Sequence, residues 1–276
     1  MLKITLKKPG NYLLSIVFLM FLSPMEKAGA EEQILRFAYV GDTSHPAFDG
    51  VQQGLEEANL QGSFLGQIYE LDSYSPGDIE RLNASRYIAL VAAVDKKYLL
   101  KLSKIDADVP VFNIAAMDDS LRQACIPNLL HIIPSNKMLR DAESQWHKKQ
   151  PDSHAKAKAW HHDYVKFAAR DLNKRFRKEF EKNMDDYAWA GWAAVKMTAD
   201  VFAREPEITP SHLLSYLKTR LLFDGQKGID MKFRETNQLI QPLLLVEDGK
   251  ILGEAPVRGV VDPDDYSTLG LIHCPE

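Results

Sequence analysis

The sequence predicts an α/β protein whose first part is a lobe built on a parallel sheet. Two observations predict this class: short apolar segments alternate with helical segments, and the connections between them are short. A third is that residues 87–94 (YIALVAAV) are apolar throughout, which is typical of a strand covered by helices on both faces. Together they predict a Rossmann-like lobe over residues 31–135.

The predicted strands of this lobe are separated by helices. The first helix runs from Pro46 to Gly62, a short helix begins near Ser75, and another follows Asp95. Strands are predicted at residues 34–41, 64–71, 87–94, 109–115 and 129–134.

The carboxyl ends of these strands carry the first group of candidate ligand-binding residues. Ligands of open parallel sheets bind outside the carboxyl ends of the strands. None of these ends is a glycine-rich loop suited to phosphate, so a nucleotide ligand is not expected. The candidates at these ends are Asp42, Thr43, Ser44, Asp95, Lys96 and Met117.

The second part, residues 136–276, is predicted to be smaller and mostly helical. Helices are predicted at about residues 135–149, 156–182, 187–202 and 209–220. An i, i+4 stripe of apolar side chains predicts the helix over residues 156–182, and nearly continuous apolar character predicts a buried helix over residues 187–202. Glu247-Asp248-Gly249 is a turn signal between two apolar segments and predicts a C-terminal β-hairpin.

Residues 1–30 have the features of a cleavable export signal. Lys3, Lys7 and Lys8 form a positively charged start. Residues 12–23 form an apolar segment too short for a comfortable membrane span, and residues 28–30 (AGA) fit a cleavage site. We therefore expect a mature chain that begins at Glu31, is not embedded in the membrane and lies in the periplasm.

Charge and motif content exclude several classes of function. The full chain has a net charge of −4, and the predicted leader carries four lysines and one glutamate, a net +3, which leaves −7 for the mature chain. An acidic chain is not expected to bind nucleic acid. The sequence has no GxSxG, HExxH or CxxC motif, so it supplies no positive case for an enzyme, and we expect no cofactor.

The two cysteines, Cys125 and Cys274, are predicted to form a disulfide. Export would place the chain in an oxidising compartment, where two thiols pair more often than they remain free. The alternative is two isolated cysteines.

The tryptophans form the second group of candidate residues. All four lie within residues 146–192. Trp189 and Trp192 share one face of a predicted apolar helix and are either core residues or a stacking platform for a planar ligand. Trp160 and Trp189 are the aromatic candidates for ligand contact, with Arg170 as a nearby cation for an anionic ligand.

Histidines are concentrated in the same region. His147, His154 and His161 recur every seven residues, and His161 is followed by His162 and Asp163. These residue types bind zinc and copper, so the cluster is either a metal site or a set of ordinary solvated histidines. His161 is also a candidate ligand-binding residue beside Trp160.

Three segments resemble one known family. Residues 159–176 (AWHHDYVKFAARDLNKRF), 184–196 (MDDYAWAGWAAVK) and 223–246 (FDGQKGIDMKFRETNQLIQPLLLV) are similar to the substrate-binding proteins of ABC transporters linked to PQQ-dependent alcohol dehydrogenase systems. That family is distantly related to the branched-chain amino-acid-binding proteins. The resemblance therefore implies a type I periplasmic binding protein-like fold.

One departure from the family changes the expected architecture. In the family, the helix after a stretch similar to NLLHIIPS leads into a second α/β lobe. Here a short hydrophilic linker joins Trp146 to Ala159, so most of the second sheet is expected to be missing. The second part is then a reduced lobe, and Trp160 is expected to face the cleft left by the missing residues.

The resemblance implies a periplasmic solute-binding component of an ABC-type uptake system associated with quinoprotein alcohol oxidation. Its partners would be an ABC permease and a small solute, with PQQ or a related planar anion as one ligand. Two alternatives stay open. One is an accessory protein that binds a periplasmic quinoprotein dehydrogenase or a cytochrome, and the other is a metal-binding protein that uses residues 147–163.

Overall fold

A five-stranded parallel sheet lies at the centre of the structure, a computed structural model that describes residues 32–275. The strands are Gln33–Gly41 (β1), Gln67–Tyr74 (β2), Ala89–Ala93 (β3), Val111–Asn113 (β4) and Leu129–His131 (β5). Their order is β2-β1-β3-β4-β5, with every neighbouring pair parallel. The five predicted strands are confirmed, and the last three are shorter than predicted.

Helices and a small antiparallel sheet make up the rest of the fold. The α-helices are Pro46–Gly62 (α1), Lys96–Leu102 (α2), Asp119–Gln123 (α3), Asn136–Lys149 (α4), Ala169–Phe180 (α5), Asp186–Arg204 (α6) and Pro210–Thr219 (α7). Short 3-10 helices are Pro76–Arg81, Ala84–Arg86 and Tyr266–Thr268. The small sheet contains Lys156–Lys158 (β6), Leu243–Glu247 (β7) and Lys250–Ala255 (β8), in that order.

The parallel sheet is covered on both faces because apolar side chains alternate along its strands. Phe37 and Tyr39 of β1 pack in the cluster that includes α1 and α6, whereas Ala38 and Val40 pack in the cluster that includes α2 and α3. A third cluster lies between α4 and the small sheet. This is the covered parallel sheet that the sequence predicts.

Helices α1 and α6 lie so close together that glycines are needed at their contact. A Cβ atom on Gly50 would lie 1.8 Å from the carbonyl oxygen of Ala188. A Cβ atom on Gly191 would lie 2.3 Å from the carbonyl oxygen of Ala47. The contact therefore holds α6, from the second part of the chain, against the helix that follows β1.

The helix predicted over residues 156–182 is wrong in its first half. Residues 156–158 form β6 and pair with β7, and α5 begins only at Ala169. The backbone N–H of Trp160 donates to a carboxylate oxygen of Asp186 at 2.6 Å instead of continuing a helix. Trp160 and Tyr164 have the i, i+4 spacing of a helix, but they lie in an irregular segment. Both side chains are nevertheless buried in the core.

The predicted hairpin and disulfide are both present. Strands β7 and β8 are antiparallel, and their turn has positive φ at Asp248 (49°) and Gly249 (75°), as a tight hairpin turn requires. Cys125 and Cys274 form a disulfide with their Cα atoms 6.0 Å apart. Arg234 holds the same C-terminal segment by donating to the carbonyl oxygen of Leu269 at 2.7 Å.

Two predictions about the organisation of the chain, the leader and the domain boundary, stay predictions. The predicted leader, residues 1–30, lies outside the described residues. Residues from Glu32 onward form one compact unit, and the division into residues 31–135 and 136–276 stays a prediction. Within residues 32–275, no helix has the length and apolar character needed to cross a membrane.

Candidate functional site

The carboxyl edge of the parallel sheet brings the first candidate residues onto neighbouring strands. Strands β1 and β3 are adjacent, with Gly41 opposite Ala93, so the loops that follow them lie side by side. Helices leave β1 and β3 from this edge, the point in such sheets where ligands bind. Residues 42–44 and Asp95 are exposed there, and Lys96 is partly exposed.

The loop after β1 is held by two hydrogen bonds and carries a negative charge. The backbone N–H and the hydroxyl group of Ser44 both donate to Asp42 Oδ1 at 2.8 Å. These hydrogen bonds lower the pKa of Asp42, because they favour its ionised form. Thr43 is exposed between them. An ionised, pre-oriented carboxylate suits a ligand with an ammonium or hydroxyl group.

The loops after β3 and β4 supply the remaining candidates at this edge. Lys96 donates from Nζ to the hydroxyl group of Ser120 at 2.7 Å. Asp95, Lys96 and Asp118 line a shallow pocket of about 430 Å³. Met117 is partly exposed, and its carbonyl oxygen accepts a hydrogen bond from the backbone of Asn136. The role of these residues in ligand binding stays a prediction.

A buried polar network supports the same edge, and it was not predicted from the sequence. Arg122 is 1% exposed and donates to the carbonyl oxygens of Ala116 and Ile133 at 2.7 Å each. It also donates to the Oε1 atom of Gln238 at 2.8 Å. Burial lowers the pKa of Arg122 to about 9. Since its donors go to protein acceptors, Arg122 positions the loops after β4 and β5 rather than a ligand.

Trp160 and Trp189 lie in the core, which corrects the expectation that Trp160 faces a cleft. Their exposed fractions are 1% and 0%, and their rings stack on each other with centroids 5.8 Å apart. The indole N–H of Trp160 donates to Asn173 Oδ1 at 2.9 Å, and that of Trp189 donates to the carbonyl oxygen of Gly225 at 3.1 Å. The core interpretation accounts for both rings, because neither has a free face.

Only part of the histidine cluster comes together. Ligand atoms of His161, His162 and Asp163 lie within 4.8 Å of one another. His161 is buried and its Nδ1 atom accepts from the backbone N–H of Asp163, an interaction that occupies one possible metal-binding nitrogen. Burial also lowers the pKa of His161. His147 and His154 are not members of this group, because the chain turns between them and His161 instead of continuing as one helix.

Arg170 does not join Trp160 or His161 in a pocket. It lies exposed on the first turn of α5. The cation beside Trp189 is Lys227, which was not predicted. Its Nζ atom is 3.9 Å from the ring centroid of Trp189.

Lys227 also lines a cavity of about 740 Å³ beside the small sheet, a size typical of small-molecule sites. The cavity is lined by residues 163–167, by the end of β8 and by Tyr266. Lys227 is 3% exposed, and burial lowers its pKa to about 7. The sequence signal that could have indicated it is its place between two glycines, Gly225 and Gly228, that both have positive φ.

Comparisons with known proteins identify the fold. No family model matches the sequence, and no curated protein matches it. Solved structures do match. A branched-chain amino acid ABC transporter periplasmic ligand-binding protein from Burkholderia xenovorans LB400 is 12% identical, with a TM-score of 0.68 over 80% of this chain and 95% of that chain.

Two further structures give the same result. A possible leucine/isoleucine/valine-binding protein from Rhodopirellula baltica SH 1 has a TM-score of 0.66 at 10% identity, over 81% of this chain and 97% of that chain. An ABC transporter substrate-binding protein from Sphaerobacter thermophilus has a TM-score of 0.66 at 10% identity, over 80% and 98% of the two chains. The chain therefore has a type I periplasmic binding protein-like fold.

Proposed function

We propose that this protein is the periplasmic solute-binding component of an ABC-type uptake system. The observation that carries the proposal is the fold, which it shares with solved ABC transporter substrate-binding proteins at TM-scores of 0.60 to 0.68. The expected export signal and the disulfide agree with a periplasmic location. The proposed partners are a small solute and a membrane permease.

Small amino acids are the first solutes to test. Among the structural neighbours are a LivJ protein from Streptococcus pneumoniae in complex with isoleucine and a substrate-binding protein from Desulfitobacterium hafniense in complex with Leu. The exposed carboxylate of Asp42 and the partly exposed ammonium group of Lys96, on loops that follow adjacent strands, suit a zwitterion. Both charges of an amino acid would then meet an opposite charge.

The finer proposal is an association with quinoprotein alcohol oxidation, with PQQ as the solute. It rests on the resemblance of residues 159–176 and 223–246 to the family named above. Stacking on Trp160 or Trp189 no longer supports it, because both rings are buried. A planar tricarboxylate would instead need the cavity that Lys227 lines.

A ligand survey tests the proposal directly. The mature protein is purified from the periplasm without added solute, and small molecules released by denaturation are identified by mass spectrometry. The refolded protein is then titrated with leucine, isoleucine, valine and PQQ in a thermal-shift assay. A ligand at one hundred times its Kd should stabilise the native state by about 2.7 kcal/mol. For a chain of this size that is a rise in Tm of roughly 5–10 °C.

The survey also has outcomes that reject the proposal. If no small molecule co-purifies and no solute raises the Tm, the protein is not a solute receptor. Stabilisation by PQQ but not by the amino acids supports the association with quinoprotein alcohol oxidation. Stabilisation by an amino acid but not by PQQ rejects that association. Capture of a dehydrogenase or cytochrome in stoichiometric amounts, without any bound solute, favours an accessory role instead.

A further inference from the structure

Lys227 is a buried cation without a counter-ion in contact. Its Nζ atom donates to the Oε1 atom of Gln241 at 2.7 Å and to the carbonyl oxygen of Pro242 at 3.3 Å. Among the ion pairs formed by residues 32–275, none within 4.0 Å includes Lys227. An ammonium group in this position has lost its hydration shell, and two neutral acceptors replace it only in part.

Three other basic residues, Lys149, Lys166 and Arg258, line the same cavity, and all three are exposed. Lys166 pairs with Glu254 at 2.6 Å, and Lys149 donates to the carbonyl oxygen of Arg258 at 3.0 Å. Both lysines are exposed, so water also solvates their charges. Lys227 differs from them because it is buried and its contacts are neutral.

The surroundings of Lys227 are aromatic. The face of Trp189 lies 3.9 Å from its Nζ atom. The ring of Phe167 lies on Gly228, where a Cβ atom would be only 2.1 Å from the ring. Tyr164 lines the cavity as well. Other charged residues, among them Lys166, Glu254 and Asp264, also line the cavity, but they are at least partly exposed. A buried cation beside aromatic side chains suits a ligand with one anionic end and an apolar body.

We infer that this cavity binds a small organic carboxylate, with the carboxylate on the ammonium group of Lys227 and the apolar body against Phe167 and Tyr164. The inference rests on the proposed function and names the class of solute, and it places that solute in this cavity instead of at the carboxyl edge of the parallel sheet. The ligand supplies a negative charge in direct contact with Lys227 through a charge-assisted hydrogen bond, because Asp186 and Glu254, the carboxylates that raise the pKa of Lys227, form no ion pair with it. A simple carboxylic acid and an amino acid share this chemistry, and the test below separates them.

The test compares four probes that share a phenyl ring. Phenylacetate carries only the carboxylate, L-phenylalanine adds an ammonium group, 2-phenylethanol is neutral and 2-phenylethylamine is cationic. Binding to the mature wild-type protein is measured by calorimetry at pH 6, below the pKa of about 7 to which burial lowers Lys227. We expect phenylacetate to bind at least tenfold more tightly than 2-phenylethanol, and 2-phenylethylamine to bind more weakly than either.

Two variants and one matched control assign the effect to Lys227. Lys227→Met removes the charge and keeps the aliphatic volume. Lys227→Gln removes the charge but keeps a hydrogen-bond donor, and it serves as the second variant if Lys227→Met does not fold. Both should lower the affinity for phenylacetate at least tenfold and leave that for 2-phenylethanol unchanged. Lys218→Met is the control, because Lys218 is partly buried and, like Lys227, donates to a backbone carbonyl oxygen, that of Pro127, which lies outside the cavity.

The results separate the inference from the proposed function. Equal phenylacetate affinity in the wild type and both Lys227 variants overturns the inference, as does a preference for 2-phenylethylamine. If a co-purified solute binds equally well with and without Lys227, the inference fails while the proposed function stands. If the wild type binds neither the probes nor a co-purified solute, both fail. Tighter binding of L-phenylalanine than of phenylacetate, lost in Lys227→Met, supports the carboxylate contact and identifies amino acids as the source.

Discussion

Replacing glycines at the contact of α1 and α6 tests how closely these helices pack. A Cβ atom at residue 50 would lie 1.8 Å from the carbonyl oxygen of Ala188, whereas real Cβ contacts essentially never fall below 3.0 Å. The backbone of α6 must therefore move by more than 1 Å in Gly50→Ala. The corresponding distance for Gly191→Ala is 2.3 Å to a backbone oxygen, and for Gly54→Ala it is 2.9 Å to a side-chain carbon of Val195.

The free-energy change follows from two opposing effects. Alanine favours a helix over glycine by about 1 kcal/mol, which alone would stabilise each variant. Overpacking costs about 1–3 kcal/mol when side chains can adjust, and more when backbone must move. We expect Gly50→Ala to lower the free energy of unfolding by about 3 kcal/mol, which is roughly 6–12 °C in Tm. Gly191→Ala should lower the free energy of unfolding slightly less than Gly50→Ala, and Gly54→Ala should lower it least.

Equilibrium urea unfolding followed by circular dichroism measures the series. Gly77→Ala is the control, since the nearest atom to its Cβ position is a hydroxyl oxygen 3.7 Å away. It should be neutral within about 0.5 kcal/mol, the range usual for surface substitutions. If Gly50→Ala is as stable as Gly77→Ala, the close helix contact does not exist and the reasoning fails.

Three further predictions concern the disulfide and two buried charges. The double variant of Cys125 and Cys274 to serine should lose about 5 kcal/mol at most in the chain-entropy model, because the bond closes a separation of 149 residues. Arg122→Met should lose at least about 3 kcal/mol, because several buried carbonyl oxygens lose their donor. Burial raises the pKa of Asp186 to about 6, so the stability this group contributes is complete below about pH 4 and is lost as the pH rises through 6. Asp186→Asn, which can still accept from Trp160, should remove that loss and be more stable than the wild type at pH 7.

These three are checked by urea unfolding, with the pH series run from 4 to 8 for the Asp186 variant. A disulfide-free protein within 1 kcal/mol of the wild type would show that the C-terminal segment is held by its hydrogen bonds alone. An Arg122→Met variant that keeps wild-type stability would contradict the support assigned to that residue. Parallel stability curves for wild type and Asp186→Asn across the pH series would mean that Asp186 is solvated.

Local patterns were sufficient to predict the parallel sheet. Each strand is a short apolar segment bounded by a turn or a helix, and burial on both faces of β3 follows from residues 87–94 alone. The small sheet was predicted only in part. Strand β6 is three residues long and pairs with β7 almost ninety positions later, a contact that no local pattern encodes.

The candidate site was also predicted only where local sequence patterns determine the position of a residue. Asp42 and Asp95 were predicted because parallel strands place their carboxyl ends at one edge. Trp160 was misplaced because an aromatic residue after a polar linker looks exposed, whereas its indole ring stacks on Trp189 and donates to Asn173. Gly225 and Gly228 indicate a turn around Lys227 but not its burial, so Lys227 became a candidate only once the fold enclosed it.

The disulfide also sets an order of events during synthesis. Cys274 follows Cys125 by 149 residues, so the first thiol is synthesised long before its partner is available. The sheet, α6 and the small sheet all belong to the intervening or preceding chain and can assemble in that interval. Products that end before residue 274 would leave Cys125 reduced, and a thiol-reactive label would therefore distinguish truncated from finished molecules.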